Sequence, residues 1–181
     1  ALDGAILGNI FLEPSTRTRI SFGSAFNLLG GHVRETSDIS SSAFVKGESL
    51  QDSARILSGY SDIICLRHPT SGSVEKFAKY SRVPVINGGD GANEHPTQAL
   101  LDLFTIKKEL RAKNRDIDNL RIALVGDLLF GRTVHSLSKL LSLYRGISVV
   151  LISPPELSMP EDIVESMRAA NIQVNDCEDF Y

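Results

Sequence analysis

The sequence predicts an α/β fold built on parallel sheets, and three observations carry the prediction. Apolar segments of strand length recur at 5–12, 62–66, 83–86, 120–125 and 148–152. The stretches between them have helical period, and strands alternating with helices favour parallel pairing through crossovers. The polar stretches richest in chemistry directly follow apolar segments, and open parallel sheets gather ligands at the carboxyl ends of their strands. Two sheets with helices on both faces are the expected architecture.

The first apolar segment runs into FLEPSTRTR at 11–19. A helix is expected to start at or near Ser15, because Phe22, Ala25, Phe26 and Leu29 recur at i, i+3, i+4 and i+7 before Gly30 and Gly31 close it. Further helices are expected at 50–59 and 73–81. Pro96 suits the first position of the next helix, which carries Leu100, Leu101 and Phe104 on one face and frays into KKELRAKNRDIDN. That charged stretch has no apolar pattern of its own. It sets the expected domain boundary, with a first domain at 1–113 that includes an interdomain helix at 96–110, and a second at 117–181. Helices at 133–144 and 160–170 complete the series, and no internal repeat interrupts it.

Bulk composition narrows the function. A chain of 181 residues with 42% hydrophobic and 23% charged residues resembles neither a disordered nor a membrane protein, and no apolar run approaches the roughly 20 residues of a membrane span. A net charge of −3 argues against a nucleic-acid binder, so any anion site must be a concentrated local pocket. Cys65 and Cys177 stand far apart, without ligand-like spacing. They fit a reducing compartment, with the cytoplasm as the expected location, and no metal site is indicated. The chain opens at Ala1 rather than Met and stops at Tyr181 after an acidic stretch, so it is expected to be a fragment of something longer.

Five stretches carry chemistry. In STRTR, the unpaired backbone N–H groups and positive dipole end of a helix add to Ser15, Thr16, Arg17, Thr18 and Arg19, which together suit a phosphate. An N-capped helix with solvated arginines accounts for any one of these residues but not for all five. In CLRHP, Arg67 and His68 end a strand before Pro69; a lone arginine there is an ordinary surface charge unless it has company. In GGDGANEHPTQALLD, His95 and Gln98 lie on the first turn of a helix, where an imidazole and an amide could polarise a carbonyl and hold an amino group. In AFVKGESLQDS, Lys46 could reach a phosphate as a point charge or be a solvated loop lysine. In VGDLLFGRT, residues 126–133 spell GxxxxG followed by Arg and Thr. A P-loop needs lysine there, so Arg132 is better suited to a substrate carboxylate.

Taken together, FLEPSTRTR, VKGES, LRHP, GDGANEHPTQALLDLFTI and VGDLLFGRTVHSL resemble, in order and approximate spacing, the catalytic chain of the aspartate transcarbamoylases. Glu13 and Thr97 look like the aspartate enzymes, since the ornithine enzymes usually carry lysine and cysteine at those places. The resemblance implies two parallel-sheet αβα domains of the transcarbamoylase type, the second incomplete in this chain. It implies transfer of a carbamoyl group from carbamoyl phosphate to L-aspartate in pyrimidine synthesis, without metal or cofactor. Ser15, Thr16, Arg17 and Thr18 would hold the phosphate beside Arg67. Thr18, Arg67 and His95 would point at the carbonyl oxygen, Gln98 would hold the carbamoyl NH₂, and Arg132 would bind the aspartate α-carboxylate.

The resemblance also implies that Ser42 and Lys46 enter the site of a neighbouring subunit in a homotrimer with shared active sites. Attached regulatory chains or fused enzyme domains stay open. Leu129 stands where many members carry a lysine. The residues that bind the aspartate side chain in the family lie beyond Tyr181, so this piece alone is expected to bind carbamoyl phosphate or phosphate but to turn over little. Two alternatives remain at this stage: a transcarbamoylase with another amine acceptor, and a non-catalytic phosphate-binding or assembly module.

Overall fold

A computed structural model of the chain describes residues 1–36 and 47–177. They form two compact units, Ala1–Asn93 and Glu94–Tyr181. In the first, strands β1 (Ile6–Phe11), β2 (His32–Thr36), β3 (Ile63–His68) and β4 (Val85–Asp90) alternate with helices α1 (Thr16–Leu28), α2 (Leu50–Leu57) and α3 (Ser73–Ala78). All pairings are parallel and the sheet order is β2-β1-β3-β4. Period-two alternation sorts the side chains to the two faces. Leu7 and Phe11 pack with Cys65 and with Phe26 of α1. Ile10, Leu12, Ile64 and Leu66 pack with Ala54 of α2 and with Val74 and Phe77 of α3. Helices therefore cover both faces, and each fully buried side chain of the size of Phe77 contributes roughly 1.5–3 kcal/mol.

The strand order reverses direction at β1, because the chain leaves β1 toward β2 on one side and later returns to β3 on the other. Such a switch point opens a crevice at the carboxyl ends of the two strands. Phe11 pairs with Arg67 in register, and Leu12 donates its N–H to the Arg67 carbonyl at 2.9 Å. The segment that leads into α1 is thus tied to the end of β3.

The second unit holds α4 (Pro96–Ala112), β5 (Arg121–Val125), α5 (Arg132–Leu141), β6 (Ser148–Ile152), a 3₁₀ turn at Pro155–Leu157, α6 (Glu161–Ala169) and β7 (Gln173–Cys177). Its three strands are parallel in the order β5-β6-β7. Leu124, Val149 and Leu151 pack with Leu137 and Leu141 of α5 and with Val164 and Met167 of α6. Sequential right-handed crossovers place those two helices on the same face.

Four local expectations change. The helix α4 runs to Ala112 rather than fraying through the charged stretch. Its core face is Ala99, Leu103, Ile106 and Leu110, whereas Leu100, Leu101 and Phe104 are 55%, 56% and 67% exposed. In α1 the buried positions are Gly23 and Phe26, while Ala25 and Leu29 face solvent. The fourth is the extent of the second core, which takes in Ala99 and Leu110 of α4, so that the compact units part before this helix. Two strands, β2 and β7, lie outside the five expected apolar segments.

Candidate active site

In the first unit the candidate residues gather where β1 and β3 end. Ser15 caps α1 in an extended conformation (φ −159°, ψ 112°), and its side chain makes no capping hydrogen bond. The N–H groups of the first turn have no intrahelical acceptors, and no acidic residue offsets the positive end of the helix dipole. Thr16 and Arg17 are exposed and Thr18 is half-buried on this turn. Arg19 leaves the group: its guanidinium faces Glu35 at 3.7 Å, and its carbonyl accepts from Asn9 Nδ2 at 3.0 Å. Asn9, fully buried, also donates to Glu35 Oε1 at 3.1 Å, fixing α1 to β1 and β2.

Arg67 is buried at the end of β3, and its Nη2 donates to Glu13 Oε1 at 2.9 Å. Gly89 lies beneath it with φ +126°, and a Cβ added there would sit 3.2 Å from Arg67 Nη1. The guanidinium thus rests on bare backbone. The neighbouring Asp90 is buried, and its Oδ2 accepts from the Gly72 N–H at 2.9 Å and from Asn93 Nδ2 at 3.2 Å, tying the end of β4 to the start of α3. Burial lowers the pKa of His68, with the charges of Asp90 and Glu13 opposing. Its Nδ1 accepts the Thr70 N–H at 3.0 Å, as a neutral ring does.

The second unit carries the other candidates on two helix starts. His95 is the residue that caps α4 (φ −143°, ψ 71°), and it is buried. Its N–H donates to Ser136 Oγ of α5 at 2.9 Å, and its Nδ1 faces Thr97 Oγ1 at 3.4 Å. Gln98 donates from Nε2 to Asp102 Oδ1 one turn on, at 2.9 Å, which orients the amide with Oε1 as its acceptor end. Arg132 opens α5, and its N–H bonds the Phe130 carbonyl at 2.8 Å. The loop before it is held by Phe130 N–H on Asp127 Oδ1 at 2.9 Å, by Leu128 N–H on the Leu157 carbonyl at 3.0 Å, and by His135 Nε2 on the Leu128 carbonyl at 2.7 Å.

A family described as aspartate/ornithine carbamoyltransferase, carbamoyl-P binding domain, matches residues 1–108. The chain belongs to this carbamoyltransferase family. The aspartate carbamoyltransferase catalytic subunit of Cellvibrio japonicus is 67% identical over 179 residues, which make up 99% of this chain and 53% of that protein. The corresponding subunit of Methanocaldococcus jannaschii is 52% identical over 172 residues, covering 95% of this chain and 55% of that one. Among solved structures, aspartate transcarbamoylase from Trypanosoma cruzi in complex with carbamoyl phosphate superposes with a TM-score of 0.91 at 39% identity, over 99% of this chain and 56% of that one. The same enzyme with carbamoyl aspartate and phosphate gives 0.90 at 39% identity, over 99% and 58%. The chain spans a little over half the length of these carbamoyltransferases.

Within this carbamoyltransferase chain, the structure groups Ser15, Thr16, Arg17 and Thr18 with Arg67 in one unit, and His95, Gln98 and Arg132 in the other. Ser42 and Lys46 lie outside the described residues. Among the described residues, no cluster of His, Cys, Asp and Glu is arranged to hold a metal ion, and no helix is long and apolar enough to cross a membrane. Motif reading missed three supporting residues. Glu13 and Gly89 support Arg67 through contacts made by chain topology, which spacing does not reveal. Asp102, four residues after Gln98, was legible as a helical i, i+4 pair.

Proposed function

We propose that the full-length protein transfers the carbamoyl group of carbamoyl phosphate to the amine of L-aspartate, releasing N-carbamoyl-L-aspartate and phosphate. The observation that carries this reading is the pairing of Phe11 with Arg67, which sets a buried arginine beside the segment opening α1, at the crevice where the strand order reverses. Family membership and the substrates named for the Trypanosoma cruzi complexes, carbamoyl phosphate and aspartate, support it.

In this reading Ser15, Thr16, Arg17 and Thr18 take the phosphate through hydroxyls, a guanidinium and first-turn N–H groups, with Arg67 beside them. Thr18, Arg67 and His95 donate toward the carbonyl oxygen, where negative charge grows as the amine attacks. One such donor is worth about 3 kcal/mol of barrier. Gln98 Oε1 accepts from the carbamoyl NH₂, with the amide oriented by the Nε2 bond to Asp102. Arg132 forks onto the aspartate α-carboxylate.

The amine lone pair forms the new C–N bond, the C–O bond to phosphate breaks, and the departing phosphate accepts the amine proton. No covalent enzyme intermediate is required, because holding both reactants in place supplies roughly 7–11 kcal/mol. We assign residues 1–113 to carbamoyl phosphate binding and 117–181 to the first part of the aspartate-binding domain. The working unit is a cytoplasmic homotrimer in which Ser42 and Lys46 complete a neighbour's site.

The test is a carbamoylaspartate assay on the full-length protein and its His95→Ala variant, run alongside a phosphate-binding measurement. The variant should lose rate by at least a hundredfold and phosphate affinity by less than threefold. Wild-type protein that binds phosphate but forms no carbamoylaspartate would refute the reading in favour of a binding module.

A further inference from the structure

We propose that Ser136, braced by the Glu94–Lys139 ion pair, is a positioning device that holds His95 to the helix carrying Arg132. The inference rests on the proposed role of His95 at the carbonyl oxygen.

His95 stands at the start of α4, where a backbone N–H has no helical acceptor and is costly to bury alone. The acceptor comes from a different helix: Ser136 Oγ lies 2.9 Å from the His95 nitrogen, and Ser136 is itself buried. The His95 side chain makes no cap bond, so the hydroxyl of Ser136 is what satisfies this helix-start amide.

Ser136 uses both capacities of its hydroxyl. It accepts from the His95 N–H and donates to Glu94 Oε2 at 3.3 Å. Donation to a carboxylate orients the hydroxyl, so that a lone pair faces the amide. Lys139, three residues further along α5, bonds the other carboxylate oxygen, Oε1. Both oxygens of Glu94 are therefore held by α5, and the residue before His95 is fixed together with His95.

Lys139 is largely exposed, and an exposed ion pair adds little stability by itself. Its effect here is geometric. Arg132 lies four residues before Ser136, on the same face of α5. One hydroxyl thus couples the start of the helix bearing the carbonyl-directed imidazole to the helix bearing the carboxylate-directed guanidinium. Because a shift of about 1 Å can cost on the order of a hundredfold in rate, such a coupling acts on turnover more than on ground-state binding.

The experiment is steady-state kinetics on the full-length enzyme. Ser136→Ala should lower kcat about tenfold, with the KM for carbamoyl phosphate and inhibition by inorganic phosphate changed less than twofold. Glu94→Gln keeps an acceptor for the Ser136 hydroxyl but removes the ion pair, so it should fall between wild type and Ser136→Ala. Lys139→Met removes the ion pair while leaving Glu94 as the hydroxyl's acceptor, so it too should fall between wild type and Ser136→Ala. A Ser136→Ala kcat within twofold of wild type, or a Lys139→Met kcat below that of Ser136→Ala, overturns the proposal.

Hydrogen exchange at the His95 amide gives a second reading that does not depend on activity. Protection should drop at least tenfold in Ser136→Ala, and unchanged protection also overturns the proposal. His95→Ala in the same assay separates the two claims. A wild-type rate in that variant removes the catalytic assignment of His95, while the amide exchange still decides whether Ser136 holds it.

Discussion

The Nη2 atom of Arg67 lies 2.9 Å from Oε1 of Glu13, and this pair joins the end of β3 to the turn that leads into α1. A guanidinium proposed to meet a phosphate thus already has a carboxylate partner. The pair orients Arg67 and compensates its charge in a buried position, at the cost of placing a negative group near an incoming anion.

That balance is testable with Glu13→Gln. Breaking one side of a fully buried pair costs roughly 3–5 kcal/mol. The Glu13 side chain is 27% exposed, so a loss of roughly 2 kcal/mol is expected once solvent screening is allowed for. Phosphate then supplies the missing countercharge. The rise in melting temperature on adding inorganic phosphate should be larger in the variant than in the wild type, read by thermal denaturation with and without the anion. Equal rises would mean that Glu13 does not share Arg67 with the ligand.

His68 sets a pH dependence. Burial lowers its folded-state pKa from the ordinary 6.5, so the folded protein holds the neutral ring where the unfolded chain already binds a proton. Stability is therefore fully present above pH 6.5 and is lost as pH falls from there toward the lowered value. The urea midpoint should drop on acidification through this window. A His68→Asn variant, which keeps an acceptor for the Thr70 N–H, should show a shallower drop. A variant with the same slope as wild type would assign the acid sensitivity elsewhere.

Cys65 should be inert in the folded protein. It is fully buried between strands, and desolvation pushes its thiol up to about 12. At pH 8 the thiolate fraction is then about one part in ten thousand, and the buried position blocks access as well. Iodoacetamide followed by peptide mass analysis should leave Cys65 unmodified under native conditions and alkylate it in denaturant. Native labelling at a rate comparable to the denatured chain would show that the first core opens easily.

The legible parts of the fold were those written in local chemistry. The strand at 148–152, the cap at Ser15 and the helix start at Pro96 each follow from a short pattern with a physical cause. The strand β2, HVRET, was not legible, because its polar residues face solvent for much of their surface while its backbone pairs with β1. Nor was β7, QVNDC, for the same reason. Periodicity points to the wrong face of α4 because this helix is apolar on more than one side, and the pattern does not say which stripe meets a core. At the candidate site, residue types in motifs named the chemistry, but the supports of those residues come from elsewhere in the chain: Glu13 for Arg67 across 54 positions, and Ser136 for the His95 amide across 41.

Gly89 is a support of this kind, and it gives the sharpest single substitution. Its φ of +126° disfavours any side chain, and an added Cβ would stand 3.2 Å from Arg67 Nη1. Gly89→Ala should therefore lose stability by roughly 1–3 kcal/mol from backbone strain. It should also displace the guanidinium and weaken phosphate binding by about tenfold. Strain alone would lower stability without touching affinity, so the two effects separate. The deciding comparison is a double-mutant cycle with Arg67→Ala, measured by equilibrium binding of inorganic phosphate. If Gly89 acts through Arg67, adding Gly89→Ala to Arg67→Ala should change affinity by less than twofold. Independent, additive losses would mean that the glycine serves the backbone of β4 and not the arginine above it.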